Sequence, residues 1–170
     1  MFHLNGKKTI YFLLVVGLFG LGGCGNQPSA GLPKDVLGIS VGMKKEDAQR
    51  RLEEIATFVS DNRSIGQFWK LKDTSRFGSL GIDYNKKGEV KFITAFVDPA
   101  TVKQRIRFSE VGDLTQAKAE IVEPLHRYIW QVPASGDKKG YNVIMNGENA
   151  EYVNIYTLTE PPDPVGNGEE

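Results

Sequence analysis

Apolar and polar positions along this chain follow two rhythms. Between Gly42 and Ser60, Ala48, Leu52, Ile55 and Val59 recur every three or four residues, which predicts an amphipathic helix burying one stripe. Lys44, Lys45, Glu46, Arg50, Arg51, Glu53 and Glu54 cover its other faces. The rhythm then changes to that of strands. Gln67 to Lys72 is short and aromatic, and Leu80, Ile82 and Tyr84 alternate with Gly81 and Asp83. Asn85 to Gly88 reads as a turn, and Val90 to Val97 is β-branched and aromatic. After Asp98-Pro99, the stretch Thr101 to Phe108 alternates strictly. Val102, Gln104, Ile106 and Phe108 fall on one face, and Lys103, Arg105 and Arg107 on the other.

A second helix is expected from Asp113, with Gln116 completing a capping box and Leu114, Ala117, Ile121 and Leu125 as the stripe. Pro124 should break or kink it, because its ring removes a backbone hydrogen bond. Strands are expected again at Tyr128 to Val132, Tyr141 to Met145 and Tyr152 to Leu158. The order is thus a helix followed by strands, twice. It predicts an α+β domain of two tandem αβββ units, over 38–108 and 109–159, with a mostly antiparallel sheet and helices on one face. Trp69 and Trp130 are matched across the units, and Ile82 with Val143, Phe92 with Val153, and Val97 with Leu158 keep the same spacing. Gly42 and Gly112 precede the two helices.

The first residues have the layout of a secretory leader. Lys7 and Lys8 give a positive start, and Thr9 to Leu21 is an uncharged apolar run. That run is shorter than the roughly 20 residues a membrane-spanning helix needs. Gly22 and Gly23 then lead directly into Cys24. Leu21-Gly22-Gly23-Cys24 resembles the lipobox of bacterial lipoproteins. The resemblance implies removal of residues 1–23 and a diacylglycerol on the Cys24 thiol, with further acylation of the new amine. Two or more acyl chains give stable membrane anchoring where one does not. Gly25 rather than Asp follows the cysteine, which in that family favours sorting to the outer membrane of a Gram-negative host. Residues 24–34, rich in Gly, Pro and Ser, read as a flexible tether, and 160–170 (EPPDPVGNGEE) as a disordered tail. The folded domain is expected over 35–159.

Composition narrows the functional classes. Cys24 is the only cysteine, so no disulfide holds the domain. Loss of Lys7 and Lys8 leaves a net charge of about −2, which excludes a globally basic nucleic-acid binder. No nucleophile stands with a base and an orienting partner, and no metal-ligand spacing occurs. His126 is the sole histidine after Cys24 and is expected near a helix end. Glu46/Asp47 and Glu53/Glu54 read as a solvated helix face. A protein without catalysis, metal or cofactor is expected, the covalent lipid on Cys24 apart.

Gly38-Ile39-Ser40-Val41-Gly42-Met43, followed by a charged helix and a strand meander, resembles the opening of the SmpA/OmlA-type outer-membrane assembly lipoproteins. It is similar also to the fold of the β-lactamase inhibitor proteins. At Phe58 to Asn62 the chain departs from the assembly lipoproteins, which have a Gly-Thr/Ser-Pro turn there. The resemblance implies a helix-backed antiparallel sheet and a protein-binding or scaffold role in the cell envelope. An inhibitor or immunity-type lipoprotein, acting through a loop such as Asp73 to Gly78, is the alternative. Lys103, Arg105 and Arg107 are the candidate contact for an anion or a partner, with protection of a sheet edge as the other reading. The aromatic set Phe68, Trp69, Phe92, Phe96, Trp130, Tyr141, Tyr152 and Tyr156 is divided between core and interface.

Overall fold

The structure is a computed structural model that describes residues 31–62 and 64–162. The expected leader, Cys24, most of the tether and most of the acidic tail lie outside the described residues.

Helix α1 runs over Lys45–Ile55 and buries Ala48 and Leu52. Glu46 and Asp47 in its first turn face the positive end of the helix dipole. Contrary to the periodicity, α1 does not continue to Ser60. Ala56 turns to extended backbone and strand β1 (Ala56–Asn62) begins at once. Thr57, Phe58 and Val59 are β-branched or aromatic, types that lose side-chain freedom in a helix and fit a pleated surface. Phe58 stands opposite Trp69 of the next strand, ring centroids 5.3 Å apart, edge to face.

β2 (Gly66–Leu71), β3 (Ser79–Tyr84) and β4 (Val90–Phe96) complete a first antiparallel meander. Gly66 enters β2 at φ +68°, and a Cβ there would stand 2.0 Å from the Ile82 carbonyl oxygen, so only glycine fits. The chain then crosses the sheet through one helical turn, α2 (Phe108–Val111). A second meander follows, of β5 (Lys118–Val122), β6 (Leu125–Val132), β7 (Tyr141–Gly147) and β8 (Ile155–Thr159).

The eight strands form one sheet in the order β1-β2-β3-β4-β8-β7-β6-β5, antiparallel throughout. At its centre Thr94 pairs with Thr157, their hydroxyl oxygens 3.0 Å apart. The register runs Trp69–Leu80–Ala95 across the first meander and Trp130–Val143–Leu158 across the second. All six side chains are buried. The core lies on this face, beneath α1, the segment from Val36 to Ile39, and the crossing segment that carries Ile106, Phe108 and Val111.

The α+β architecture with helices along one face is therefore corrected to a β-rich fold. Among the described residues only α1 is a helix of more than one turn. The second expected helix is a three-residue 3₁₀ turn, Leu114–Gln116, capped by the Asp113 carboxylate, which accepts from the Thr115 amide at 2.9 Å. From Lys118 the chain is strand, and Glu123-Pro124 forms the tip of the β5–β6 hairpin. Two of the four stripe residues, Ile121 and Leu125, end up exposed at that tip. The strand expected over Thr101 to Phe108 is turn and irregular chain, with one bridge from Arg107 to Tyr152. The domain also exceeds its expected limits. Leu32 packs on the core, and Glu160 donates its amide to Lys91 and accepts from the Asn85 side chain at 2.9 Å.

Candidate functional site

One face of the sheet has no helix on it among the described residues. Strand alternation sends Phe68, Phe92, Phe96, Ile129, Ile144 and Ile155 to this face, opposite the buried Trp69–Leu80–Ala95 ladder. All six are half-buried. Phe68 and Phe96 meet edge to face at 6.1 Å. Thr94 and Thr157 lie between them at the seam of the two meanders.

Among the described residues the sheet has two free edges, and they differ. β1 carries a bulge between Phe58 and Ser60 and ends in Ser60-Asp61-Asn62. Bulges and charges are devices that stop an edge from recruiting another strand. β5 pairs with β6 in unbroken register, and its outer edge is unpaired among the described residues. Its far end and the start of β6 are apolar: on β5 Val122 is 73% and Ile121 52% exposed, and on β6 Leu125 is 57% exposed. At the near end Lys118 and Arg127 both pair with Glu120, at 2.8 and 3.2 Å. The hydrogen bond from Lys118 holds the Glu120 carboxyl below its usual range.

The residues singled out from sequence fall as follows. Cys24 is outside the described residues. Lys103, Arg105 and Arg107 do not share one strand face, because no strand forms there. Arg105 lies 4.2 Å over the Tyr152 ring, and Arg107 stacks on the same ring at 5.9 Å. Arg107 also pairs with Glu151 at 3.3 Å. Two of the three cations therefore clasp one aromatic ring. The loop Asp73 to Gly78 is pinned down. The Asp73 carboxylate accepts from the Ser75 amide at 2.9 Å, the Lys103 amide donates to the Ser75 carbonyl at 3.2 Å, and Phe77 is buried. His126 is on β6, not at a helix end, and is buried, its Nε2 3.6 Å from Glu123. No group of three or more metal-binding side chains occurs among the described residues. No helix there is long and apolar enough to cross a membrane.

Two features were missed from sequence. The exposed hairpin tip was hidden because its apolar residues also fit a helical stripe. The second is an ion cluster on Glu89, which pairs with Lys44 at 2.8 Å and with Lys139, while Lys139 also reaches Glu160 at 3.6 Å. The hydrogen bonds from Lys139 and Lys44 pull the Glu89 carboxyl down to about 2. These partners are far apart in sequence, so no local pattern announces them.

No protein-family model, no curated protein and no solved structure matches this chain.

Proposed function

We propose that the chain is a lipoprotein of the bacterial cell envelope, anchored through acyl chains on Cys24, that binds a protein partner at the β5 edge of its sheet. The observation carrying this is the contrast between the two edges. β1 is bulged at its exposed apolar residues Phe58 and Val59 and polar at its end, whereas β5 pairs without a break and ends in Ile121 and Val122, with Leu125 across the hairpin tip on β6, all three more than half exposed. A regular edge offers unpaired backbone groups to an extended segment of another protein, and flanking apolar side chains add area and specificity. Glu123 stands at the hairpin tip, 79% exposed, which argues for a protein surface over the hydrocarbon of a bilayer. The half-buried apolar face beside the edge extends the surface available to the partner. The function is binding or scaffolding, without a reaction or a cofactor. The sequence resemblance puts outer-membrane assembly first among the processes served.

The test uses the full chain in its own envelope, with a photo-crosslinking residue at Val122 and, as a control, at Asp61 on the β1 edge. Crosslinking to one protein from position 122 alone is expected. Val122→Asp should weaken capture about tenfold or more, since burying an aliphatic side chain is worth about 1.5–3 kcal/mol. Equal crosslinking from both positions, or none from 122, overturns the β5 assignment. An inhibitor or immunity role predicts capture of a single enzyme with loss of its activity. Cys24→Ser tests the anchor separately: the variant should stay unprocessed or leave the membrane fraction, and behaviour like the wild type rules out lipidation.

A further inference from the structure

Strand β5 is complementary to its own reverse. Pairing with β6 sets its faces. Ala119 stands opposite Tyr128 and Ile121 opposite the buried His126, on the covered side of the sheet. Ala117, whose backbone is already extended, falls on that side by alternation. Lys118 and Glu120 fall on the open side, opposite Ile129 and Arg127. Lys118, Ala119 and Ile121 are exposed. Neighbouring antiparallel strands from two copies of a chain are related by a two-fold axis normal to the sheet, and residues directly opposite share a face. With that axis at Ala119, Lys118 of each copy stands opposite Glu120 of the other, and Ala117 of each opposite Ile121 of the other. An axis at Lys118 or at Glu120 sets like charges directly opposite, which is destabilising.

We infer, on the proposal that β5 is the binding edge, that the partner there is a second copy of this chain, its own β5 paired antiparallel about Ala119 so that the two sheets become one. Within one copy Lys118 and Arg127 both hold Glu120, at 2.8 and 3.2 Å. Lys118 can turn to Glu120 of the second copy while Arg127 keeps its own. That exchange fixes the register more than it adds affinity. Ile121 against Ala117 sets large against small and covers a side chain that a single copy leaves 52% exposed. The stretch Ala117 to Ile121 is short beside a standard interface. Anchoring compensates for this. Leu32 packs on the core, so the domain begins on the covered side of the sheet. A two-fold axis normal to the sheet leaves both beginnings on that side, where tethers lipidated at Cys24 reach one membrane. Confinement there raises the effective concentration of each copy for the other.

The test uses the full chain in membranes of its own host, with single cysteines on β5 and copper phenanthroline as oxidant. The parent chain, whose only cysteine is Cys24, is the blank. Directly opposite residues have Cα atoms about 4.5–5.5 Å apart, within reach of a disulfide. Ala119→Cys should therefore give a disulfide-linked product of twice the chain mass. Ala117→Cys and Ile121→Cys each lie about 13 Å from their own counterpart and should link only when the two variants are co-expressed. Lys118→Glu or Glu120→Lys, added to Ale119→Cys, should lower the yield about fivefold, because two cross-strand pairs turn repulsive. Co-expressing these two variants should restore it, which also shows that both fold. The photo-crosslink from Val122 should have the mass of two copies. Equal linkage from all three cysteine positions, or charge variants without effect, overturns the inference. Capture of a different protein from Val122, with no Ala119→Cys product, overturns it while leaving β5 as the binding edge. No product from either position overturns both.

Discussion

Glu89 shows how much a single side chain takes from the tertiary structure. It stands beside a turn that the sequence marks plainly, yet its partners Lys44 and Lys139 come from before α1 and from the β6–β7 loop. Its carboxyl lies at about 2, against an ordinary value of 4.5. A carboxylate lowered in the folded state contributes stability that is complete above the unfolded value and disappears as pH falls through the folded one. Wild-type stability should therefore decline between about pH 4.5 and pH 2, and Glu89→Gln should flatten that part of the thermal-midpoint profile. Parallel profiles for the two proteins would mean that the cluster contributes nothing. Trp69 and Trp130 make a related point. Both were marked from sequence, and both are buried at matching rungs of the sheet. Their surroundings differ, because the Trp130 indole donates to the Asp113 carbonyl at 2.9 Å while the Trp69 indole nitrogen has no partner among the described residues. Residue type announced burial in each case, but only the packing decided what each ring touches.

At the scale of elements, the two expected helices had equally regular stripes, and one of them formed. α1 has a long polar complement and no proline, and its stripe residues Ala48 and Leu52 reach the core. The stripe Leu114, Ala117, Ile121 and Leu125 is interrupted by Pro124, and the β-branched Ile121-Val122 precedes it. Over so short a window the helical and strand periods place apolar residues almost equally well. Pairing of β5 with β6 decides the outcome by satisfying the backbone along the whole hairpin. The contrast is measurable by urea denaturation. Leu52→Ala should cost about 2–5 kcal/mol, the range for emptying a well-packed core position. Ile121→Ala should stay within about 0.5 kcal/mol, as for exposed sites. A large loss at Ile121 would place it in the core and restore the helix. The stretch Lys103 to Arg107 failed for a different reason. Its alternation was correct for Ile106 and Phe108, which are buried, but this chain must cross the sheet and does so as irregular structure without a neighbouring strand.

At the scale of the molecule, the two meanders meet along β4 and β8, and the buried ladder is continuous across that seam. They should unfold together. Chains retaining only Trp69 or only Trp130, made by Trp→Phe at the other site, are expected to give coincident denaturation curves. Separated midpoints would mean that each meander is its own unit. Matching rungs pair Leu80 with Val143 and Ala95 with Leu158, two residues away from the positions that constant spacing selects. The distance from Trp130 to Val143 is two residues longer than that from Trp69 to Leu80, and a fixed offset cannot follow such a change. The sequence by itself determined that β2, β3, β4 and β7 are strands, and that Ala48 and Leu52 of α1 are buried, because residue type and burial on one face of an element repeat with that element's own period. Only the tertiary structure decided where α1 stops, that the second stripe becomes a hairpin and which edge stays open. Each of these depends on hydrogen bonds and contacts between residues far apart in the chain, and local periodicity carries no record of them.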